Sequence, residues 1–150
     1  MDNSELAVAV FSDLSKAFDL VNHDMLLAKL DKYHTGTNAM TWFSSYLTSR
    51  AQVVSVSGVL SSPLNLDVGV PQGSILGPRL FSIYKNDLPL LFKDTEVAMY
   101  ANDTNIWWNG INCTDIQNTP NDKANSWFKL NRMIPNIKKT KHLLVDSFKS

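Results

Sequence analysis

The chain has 150 residues, 44% hydrophobic and 19% charged, and its 14 basic residues balance its 14 acidic residues. This composition is typical of one globular domain with a sizeable core, and it excludes a disordered or low-complexity chain. The single cysteine, Cys113, excludes an internal disulfide and a zinc cluster built from cysteines.

The acidic start of the chain is unlike a signal peptide, and no apolar run is long enough to span a bilayer. The sequence therefore predicts an intracellular, soluble protein that does not enter a membrane. Its charge is unevenly spread, because residues 121–150 carry seven Lys or Arg against two Asp, a balance of +5, which leaves −5 for the remainder. A basic end suits binding of a polyanion, but the charge alone favours the simpler alternative of a solvated basic helix end.

Apolar periodicity and turn residues predict alternating short strands and helices. The predicted elements, in chain order, are a strand at 6–11, helices at 23–33 and 38–47, strands at 52–56 and 64–68, a helix at 75–84, strands at 97–100 and 106–108, a helix from 120 to about 130, and a strand at 143–145.

Capping and breaking residues set the expected ends of these elements. Asn22 is placed to cap the first helix and Gly36 to stop it. Pro120 is expected to forbid a continuous helix across the segment, so we place a helix start there with Thr119 as the cap. Asn109-Gly110 is a turn signal. Trp127, Phe128 and Leu130 are the expected core residues of the last helix, and Tyr84 is the expected core residue of the helix at 75–84.

The order of these elements predicts the fold class. Hairpins and helices alternate without the strand–helix–strand repeat of a parallel sheet, so we expect an α+β fold with an antiparallel sheet and helices packed on one face. Trp107 and Trp108 are adjacent in a predicted strand and must face opposite sides of the sheet. One of them is expected to lack a cover, so the isolated chain should expose apolar surface and aggregate or associate with partners.

Two predicted elements place carboxylates at strand ends. The first strand ends at Asp13, and the hairpin formed by residues 97–108 has Asn102-Asp103 at its centre. Asn and Asp are also ordinary turn residues, and that simpler explanation of the hairpin stays open. If the strand and hairpin pair, Asp13 and Asp103 meet at one sheet edge, which would form a metal site.

Five segments together resemble a known family. They read FSDLSKAFD at 11–19, GVPQGSILGP at 69–78, IYKNDLP at 83–89, YAND at 100–103 and NIKKTK at 136–141. Their order and spacing resemble the reverse transcriptase palm of non-LTR (LINE-type) retrotransposons, over residues 8–145. The resemblance implies a partial polymerase palm that performs RNA-directed DNA synthesis by nucleotidyl transfer.

The resemblance also implies a cofactor and partners. It assigns Asp13 and the hairpin pair to a two-ion Mg²⁺ site that would hold the attacking and leaving oxygens. The implied partners are an RNA template, a DNA primer and deoxynucleoside triphosphates, and family analogy suggests the nucleus.

Five further positions receive roles from the resemblance. Phe18 matches the bulky residue under the incoming sugar, where a ring would exclude a ribose 2′-hydroxyl. Gln72 and Gly73 match the loop that approaches the template and nucleotide, and Tyr100 is assigned to the same binding role. Lys139 is the candidate for a basic catalytic residue near the leaving phosphates. Without the resemblance, Phe18 is equally well a core residue and Gly73 an ordinary turn residue.

The chain departs from the family pattern at one position. The family hairpin reads Tyr-x-Asp-Asp, and Asn102 stands at the first of the two acids, which the resemblance implies is a metal ligand. An amide brings no negative charge to offset divalent cations, so the resemblance predicts an inactive site. We also expect the family's fingers segment upstream and thumb segment downstream to be missing, which makes residues 1–150 a palm fragment.

Two functional hypotheses follow. The chain is either an RNA-directed DNA polymerase by descent, or a non-catalytic remnant that acts, if at all, as a nucleic-acid or protein interaction module. A small α/β domain with Asp13 as a phospho-acceptor is a third possibility, and the predicted antiparallel order argues against it.

Overall fold

A computed structural model of the chain describes residues 6–93, 95–110 and 113–146. The strands are β1 (Leu6–Ser12), β2 (Leu14–Ser15), β3 (Arg50–Gln52), β4 (Ser55–Val56), β5 (Val59–Leu60), β6 (Leu64–Leu66), β7 (Glu96–Tyr100), β8 (Asp103–Gly110), β9 (Ile134–Pro135) and β10 (Lys141–Asp146). The helices are α1 (His23–Lys32), α2 (Thr37–Leu47), α3 (Leu76–Lys85) and α4 (Cys113–Leu130), with a short 3-10 helix at Pro89–Leu91.

The chain divides into two compact units. The first unit combines the segment up to Ala17 with the segment from Lys85 onward, and the second is Phe18–Tyr84.

The first unit is organised around a four-stranded antiparallel sheet with the order β10-β1-β8-β7. The central strand β1 pairs with β8 on one side and with β10 on the other, so that Val8 lies opposite both Trp108 and Leu144. Strand β7 extends the sheet through its hairpin with β8. The expected α+β class with an antiparallel sheet is confirmed.

One face of this sheet forms the core of the first unit with α4. Val8 and Val10 of β1 are buried, as are Ile106 and Trp108 of β8. The helix α4 packs on β1 and β8, and its Ala124, Trp127 and Phe128 are buried. The core assignments of Trp127 and Phe128 are therefore confirmed, whereas Leu130 is 74% exposed and its assignment was wrong.

The opposite face of the sheet carries apolar side chains in a shallow, open groove. Because residues alternate between faces, Ala7, Ala9 and Phe11 of β1 line it together with Trp107 of β8 and Leu143 of β10. Phe11 is 37% exposed. The two tryptophans do face opposite sides, and Trp107 is the one on the open face.

The second unit contains α1, α2 and most of α3, together with two small ladders, β3–β6 and β4–β5. Asn22 caps α1 as predicted, because its side-chain oxygen accepts from the backbone N–H of Met25 at 3.0 Å. Gly36 is not the stop of α1, which ends at Lys32, but the residue that precedes α2. The predicted core position of Tyr84 is confirmed, since its side chain is fully buried.

Two expectations about chain breaks were wrong. Helix α4 is continuous and contains Pro120 in its interior. The proline removes only one backbone hydrogen bond, and the other turns of the helix and the packing of its C-terminal half persist. Asn109-Gly110 is not a turn but the end of β8, where the two residues lie opposite Ala7 and Leu6 of β1. In both cases pairing or packing with distant residues outweighs a local signal. Among the helices of the described residues, none has the length and apolar character needed to cross a membrane.

Candidate active site

Asp13 lies at the end of the central strand of the first unit, between β1 and β2, and its side chain is buried. The small ladder between β2 and β9, with Leu14 opposite Pro135, brings the segment after β9 beside it. A buried carboxylate is stable only when hydrogen-bond donors or cations compensate for the water it has lost. The side chains around Asp13 supply this compensation.

Asn102 donates the first hydrogen bond to this carboxylate. It stands in the two-residue turn between β7 and β8, and its Nδ2 lies 2.5 Å from Oδ1 of Asp13. A carboxylate only accepts, so the Asn102 amide must present its nitrogen and not its oxygen to Asp13. The predicted meeting of Asp13 with the hairpin is therefore present, as a contact between an amide and a carboxylate.

Asn136 donates a second hydrogen bond to Asp13 from the other side. Its Nδ2 lies 3.0 Å from Oδ2, and its backbone N–H donates to the Asp13 carbonyl at 2.8 Å. The Asn136 carbonyl in turn accepts from the backbone N–H groups of Lys139 and Thr140, which closes a tight turn after β9. This double attachment fixes the turn against the end of β1.

Lys139 is carried by that turn to the same carboxylate. Its Nζ lies 3.4 Å from Oδ2 of Asp13, and its side chain is 68% exposed. The ion pair therefore stands at the boundary with water, where screening keeps its contribution small. Of the sequence-predicted residues, the structure brings together Asp13, Asn102 and Lys139.

Lys85 is buried against the turn that joins β7 to β8. It is 1% exposed, and its Nζ donates to the carbonyl of Ala101 at 2.9 Å, to Oγ1 of Thr104 at 3.0 Å and to the carbonyl of Asp103 at 3.4 Å. Burial lowers the pKa of Lys85 from 10.5 to about 8, and the negative charge of Asp103 opposes part of that shift. At neutral pH the residue is a buried cation.

Asp103 and Tyr100 pair across the turn and are both exposed. Asp103 is the first residue of β8 and is exposed to solvent. Its backbone carbonyl accepts a hydrogen bond from Lys85. Asp13 and Asp103 thus belong to the same end of the sheet, one buried and one exposed.

The donor set around Asp13 does not fit a two-ion magnesium site. Each carboxylate oxygen of Asp13 accepts from an amide, and the Lys139 ammonium stands beside Oδ2. Two divalent ions need several oxygen ligands with enough negative charge, whereas these neighbours are donors. No group of three or more His, Cys, Asp or Glu side chains within residues 6–93, 95–110 and 113–146 is arranged to hold a metal ion.

Phe18, Gln72 and Gly73 lie in the second unit. The ring of Phe18 packs on Phe81 with 4.7 Å between centroids, and its carbonyl accepts from the backbone N–H of Val70 at 2.9 Å. Gln72 donates from Nε2 to Oδ1 of Asp19 at 2.6 Å. The structure therefore brings the 69–74 loop and the segment after Phe18 together.

Two glycines of that loop have different constraints. Gly69 has a φ of +92°, and a Cβ there would lie 3.2 Å from the carbonyl oxygen of Asp19, so the close approach of the two segments needs glycine. Gly73 has a φ of +79° with open space around it. A side chain at Gly73 would meet backbone strain and no neighbour, which leaves room for a molecule to approach.

A family model described as "Reverse transcriptase (RNA-dependent DNA polymerase)" matches residues 1–149. The chain belongs to the reverse transcriptase family. This confirms the resemblance drawn from its five segments.

Curated reverse transcriptase relatives come from mobile elements. The chain is 40% identical over 111 residues to the RNA-directed DNA polymerase from mobile element jockey of Drosophila melanogaster, an alignment that covers 69% of this chain and 12% of that protein. It is 42% identical over 88 residues to the probable RNA-directed DNA polymerase from transposon BS of the same species, which covers 59% of this chain and 10% of that protein. The chain thus spans about a tenth of the length of these relatives.

Solved polymerase structures share the fold of this reverse transcriptase domain. An apo telomerase from Candida tropicalis, truncated from its C-terminal domain, superposes with a TM-score of 0.71 at 16% identity and covers 97% of this chain and 32% of that one. The RNA-dependent RNA polymerase of a human picobirnavirus superposes with a TM-score of 0.56 at 15% identity, over 91% of this chain and 26% of that one. At these identities the likeness concerns the fold alone.

Sequence reasoning gave no role to two residues of the cluster around Asp13 and the hairpin turn, Asn136 and Lys85. Both stand inside matched segments, but an Asn before a turn and a Lys at a helix end are ordinary features. One signal did exist for Lys85. It lies four residues after Phe81 and three before Leu88, which places a lysine on the apolar face of the segment.

Proposed function

We propose that residues 1–150 are a reverse transcriptase palm fragment whose ancestral activity is RNA-directed DNA synthesis, and that this chain does not catalyse that reaction by itself. One observation carries the proposal: the Asn102 amide is hydrogen-bonded to the carboxylate of Asp13. In the family pattern an aspartate stands at position 102, so this chain has a neutral donor where catalysis needs a negative oxygen ligand.

The consequence of that replacement is electrostatic. A family member with aspartate at position 102 would have carboxylates able to hold Mg²⁺, which would offset negative charge on the triphosphate. In the family pattern the ligands fall at positions 13, 102 and 103, and in this chain Asn102 contributes no charge while both oxygens of Asp13 are already occupied by donors. Loss of one charged ligand in a two-ion site costs several kcal/mol of transition-state stabilisation, which is on the order of a thousandfold in rate.

The remaining proposed roles concern substrate binding. Nucleotide and template binding is proposed for Phe18, Gln72 and Gly73. Tyr100, in the hairpin, is proposed to bind either the nucleotide or the template. Lys139, exposed beside Asp13, is proposed to attract the leaving phosphates as a cation. An RNA template, a DNA primer and deoxynucleoside triphosphates are the proposed partners.

Primer extension tests the proposal. The purified chain, an RNA template with an annealed DNA primer, and Mg²⁺ or Mn²⁺ should give no template-dependent incorporation above background. Incorporation that depends on both template and metal, and that Asp13→Asn abolishes, would contradict it.

A second candidate function is nucleic-acid binding without catalysis. The cations of the basic end are exposed in the described residues, including Lys129, Arg132, Lys138 and Lys141. Exposed cations release condensed counterions when they bind phosphates, so affinity for RNA should fall steeply with salt. Fluorescence anisotropy with a labelled RNA hairpin would measure that slope. Replacement of Lys138 and Lys141 by Gln should reduce the slope by about two, and an unchanged slope would exclude this surface.

A further inference from the structure

The ammonium of Lys85 contacts the hairpin turn at three points. Its acceptors are the carbonyls of Ala101 and Asp103 and the hydroxyl of Thr104, at 2.9, 3.4 and 3.0 Å. Ala101 and Asp103 are the residues immediately before and after Asn102. One buried cation therefore bridges the backbone on both sides of the residue that contacts Asp13.

The turn needs such support because of its conformation. Ala101 has a φ of +48°, in the left-handed region that is unfavourable for a residue with a Cβ. A two-residue hairpin loop of this kind usually places Gly, Asn or Asp at the left-handed position. Here an alanine adopts it, and its carbonyl accepts the hydrogen bond from Lys85.

A lysine is an energetically costly residue to place in this space. The side chain is 1% exposed, and burying an ammonium is unfavourable unless hydrogen bonds compensate. A methionine would fill a similar volume without a charge. The acceptors of Lys85 described above belong to the turn and the first residues of β8. These hydrogen bonds stabilise the buried ammonium, and the same bonds stabilise the turn.

We infer that Lys85 is a positioning residue, whose ammonium fixes the backbone on both sides of Asn102 and thereby directs the side chain at position 102 toward Asp13. The inference deepens the proposed function, on which the catalytic meaning of this cluster rests. In a chain with aspartate at position 102, the same contacts would aim a carboxylate at that place. Lys85 touches no reacting atom in this role.

The test follows the turn in solution with Lys85→Met. Amide hydrogen exchange at residues 100–104 and the side-chain amide resonances of Asn102 report on the turn without any nucleotide or metal. Asp13→Asn identifies the Asn102 resonances that depend on the contact with Asp13. The matched control is Lys29→Met, because Nζ of Lys29 donates to the carbonyl of Tyr84 at 2.6 Å in the second unit.

Lys85→Met should speed exchange at residues 100–104 by about tenfold to a hundredfold, as expected when the turn loses its hydrogen bonds to a charged group. Exchange in β1 and β10 should change far less, and the Asn102 side-chain resonances should move as they do in Asp13→Asn. Lys29→Met should leave both readouts as in the parent. Unchanged exchange at the turn, or an equal rise throughout the sheet, would overturn the inference.

If Lys85→Met does not fold, a second variant tests the positioning role of Lys85. Thr104→Val keeps the shape of a fully buried side chain and removes one acceptor of Lys85. It should shift the Asn102 side-chain resonances and speed exchange at the turn by a smaller factor. Resonances identical to those of the parent would overturn the inference. Neither readout involves DNA synthesis, so failure of the positioning role and failure of the proposed polymerase ancestry are separate results.

Discussion

At position 102 the difference between an amide and a carboxylate sets the electrostatics of the whole cluster. Asn102 and Asn136 each donate to one oxygen of Asp13, and Lys139 adds a cation beside it. The buried carboxylate is thereby compensated without a metal ion. This explains how the chain can hold a buried Asp13 beside the turn.

Asn102→Asp should make the metal-free protein less stable near neutral pH. The change replaces a donor to Asp13 with a second carboxylate and costs about 2 kcal/mol, because it removes a hydrogen bond to a charged group and places like charges together. Repulsion raises the folded-state pKa of the pair above its unfolded value. The cost is therefore present once pH exceeds the unfolded value and is removed by acid. Thermal unfolding across pH would measure it.

Mg²⁺ or Mn²⁺ should reverse that destabilisation, since an ion that binds only the folded form stabilises it by mass action. The metal-induced rise in melting temperature should be larger in Asn102→Asp than in the parent. Adding Asp13→Asn should abolish the difference, while Asp24→Asn, on the exposed first turn of α1, should leave it intact. Equal metal-induced shifts in parent and variant would mean that Asp13 and position 102 do not share an ion.

Lys85 should make stability rise with pH in alkaline solution. Its pKa is about 8 in the folded protein and 10.5 as the ordinary value, so between these values the unfolded chain binds a proton that the folded protein does not. Stability then increases across this interval by about 3 kcal/mol. Urea unfolding at pH values below, within and above the interval would measure the increase.

Lys85→Met is the control for that prediction. It removes this titration but leaves the tyrosines, the cysteine and the other lysines in place. The difference in unfolding free energy between parent and variant should therefore change across the interval, whatever other groups titrate there. A constant difference would show that burial of Lys85 does not shift its protonation.

At the scale of elements, α4 shows how packing overrides a helix breaker. Pro120 removes a backbone donor inside a helix of 18 residues, at a cost of about 3 kcal/mol in a helix interior. Burial of Ala124, Trp127 and Phe128 against the sheet offsets that cost. The helix is therefore continuous although its sequence predicts a break.

Pro120→Ala should stabilise the protein. The restored hydrogen bond outweighs the apolar burial that the proline ring provides, with a net gain of about 1 kcal/mol and a melting temperature about 3 °C higher. The control is Pro89→Ala, because Pro89 begins the short 3-10 helix, where no donor is needed. Differential scanning calorimetry of both variants would measure the effect. A lower melting temperature for Pro120→Ala would indicate that packing of the ring outweighs the missing hydrogen bond.

At the scale of the whole molecule, we expect the apolar open face of the first unit's sheet to affect behaviour in solution. Phe11, Trp107 and Leu143 line it beside small residues of β1. The parent chain should bind hydrophobic dyes and associate at high concentration. The double variant Phe11→Thr and Leu143→Thr keeps β-favouring residues in the strands and should reduce both effects.

Ile137→Thr is the matched control, since Ile137 is 87% exposed in the turn after β9 and does not line that face. Dye fluorescence and light scattering should stay as in the parent. If the double variant binds dye as strongly as the parent, the open face is not responsible. If the parent is a clean monomer with a cooperative melt and no dye binding, the expectation drawn from this surface fails.

The family, the fold class and most elements of the first unit could be predicted from the residue pattern along the chain. The apolar runs that became β1, β7, β8 and β10 alternate or cluster strongly, and the pairing of β7 with β8 follows from hairpin geometry. Asp13 and the hairpin were predicted to meet because strand ends share a sheet edge. Local signals sufficed wherever the local preference and the packing agreed.

The remaining features depend on contacts between residues that lie far apart along the chain. Pro120 and Asn109-Gly110 follow long-range packing and pairing, which no window of sequence contains. The amide of Asn102 turns its nitrogen to Asp13 because a buried carboxylate demands donors, and Asn136 joins it from a turn 123 residues away along the chain. Lys85 becomes part of the site through three acceptors in the hairpin. Such contacts depend on where side chains meet in space, so spacing along the chain cannot reveal them.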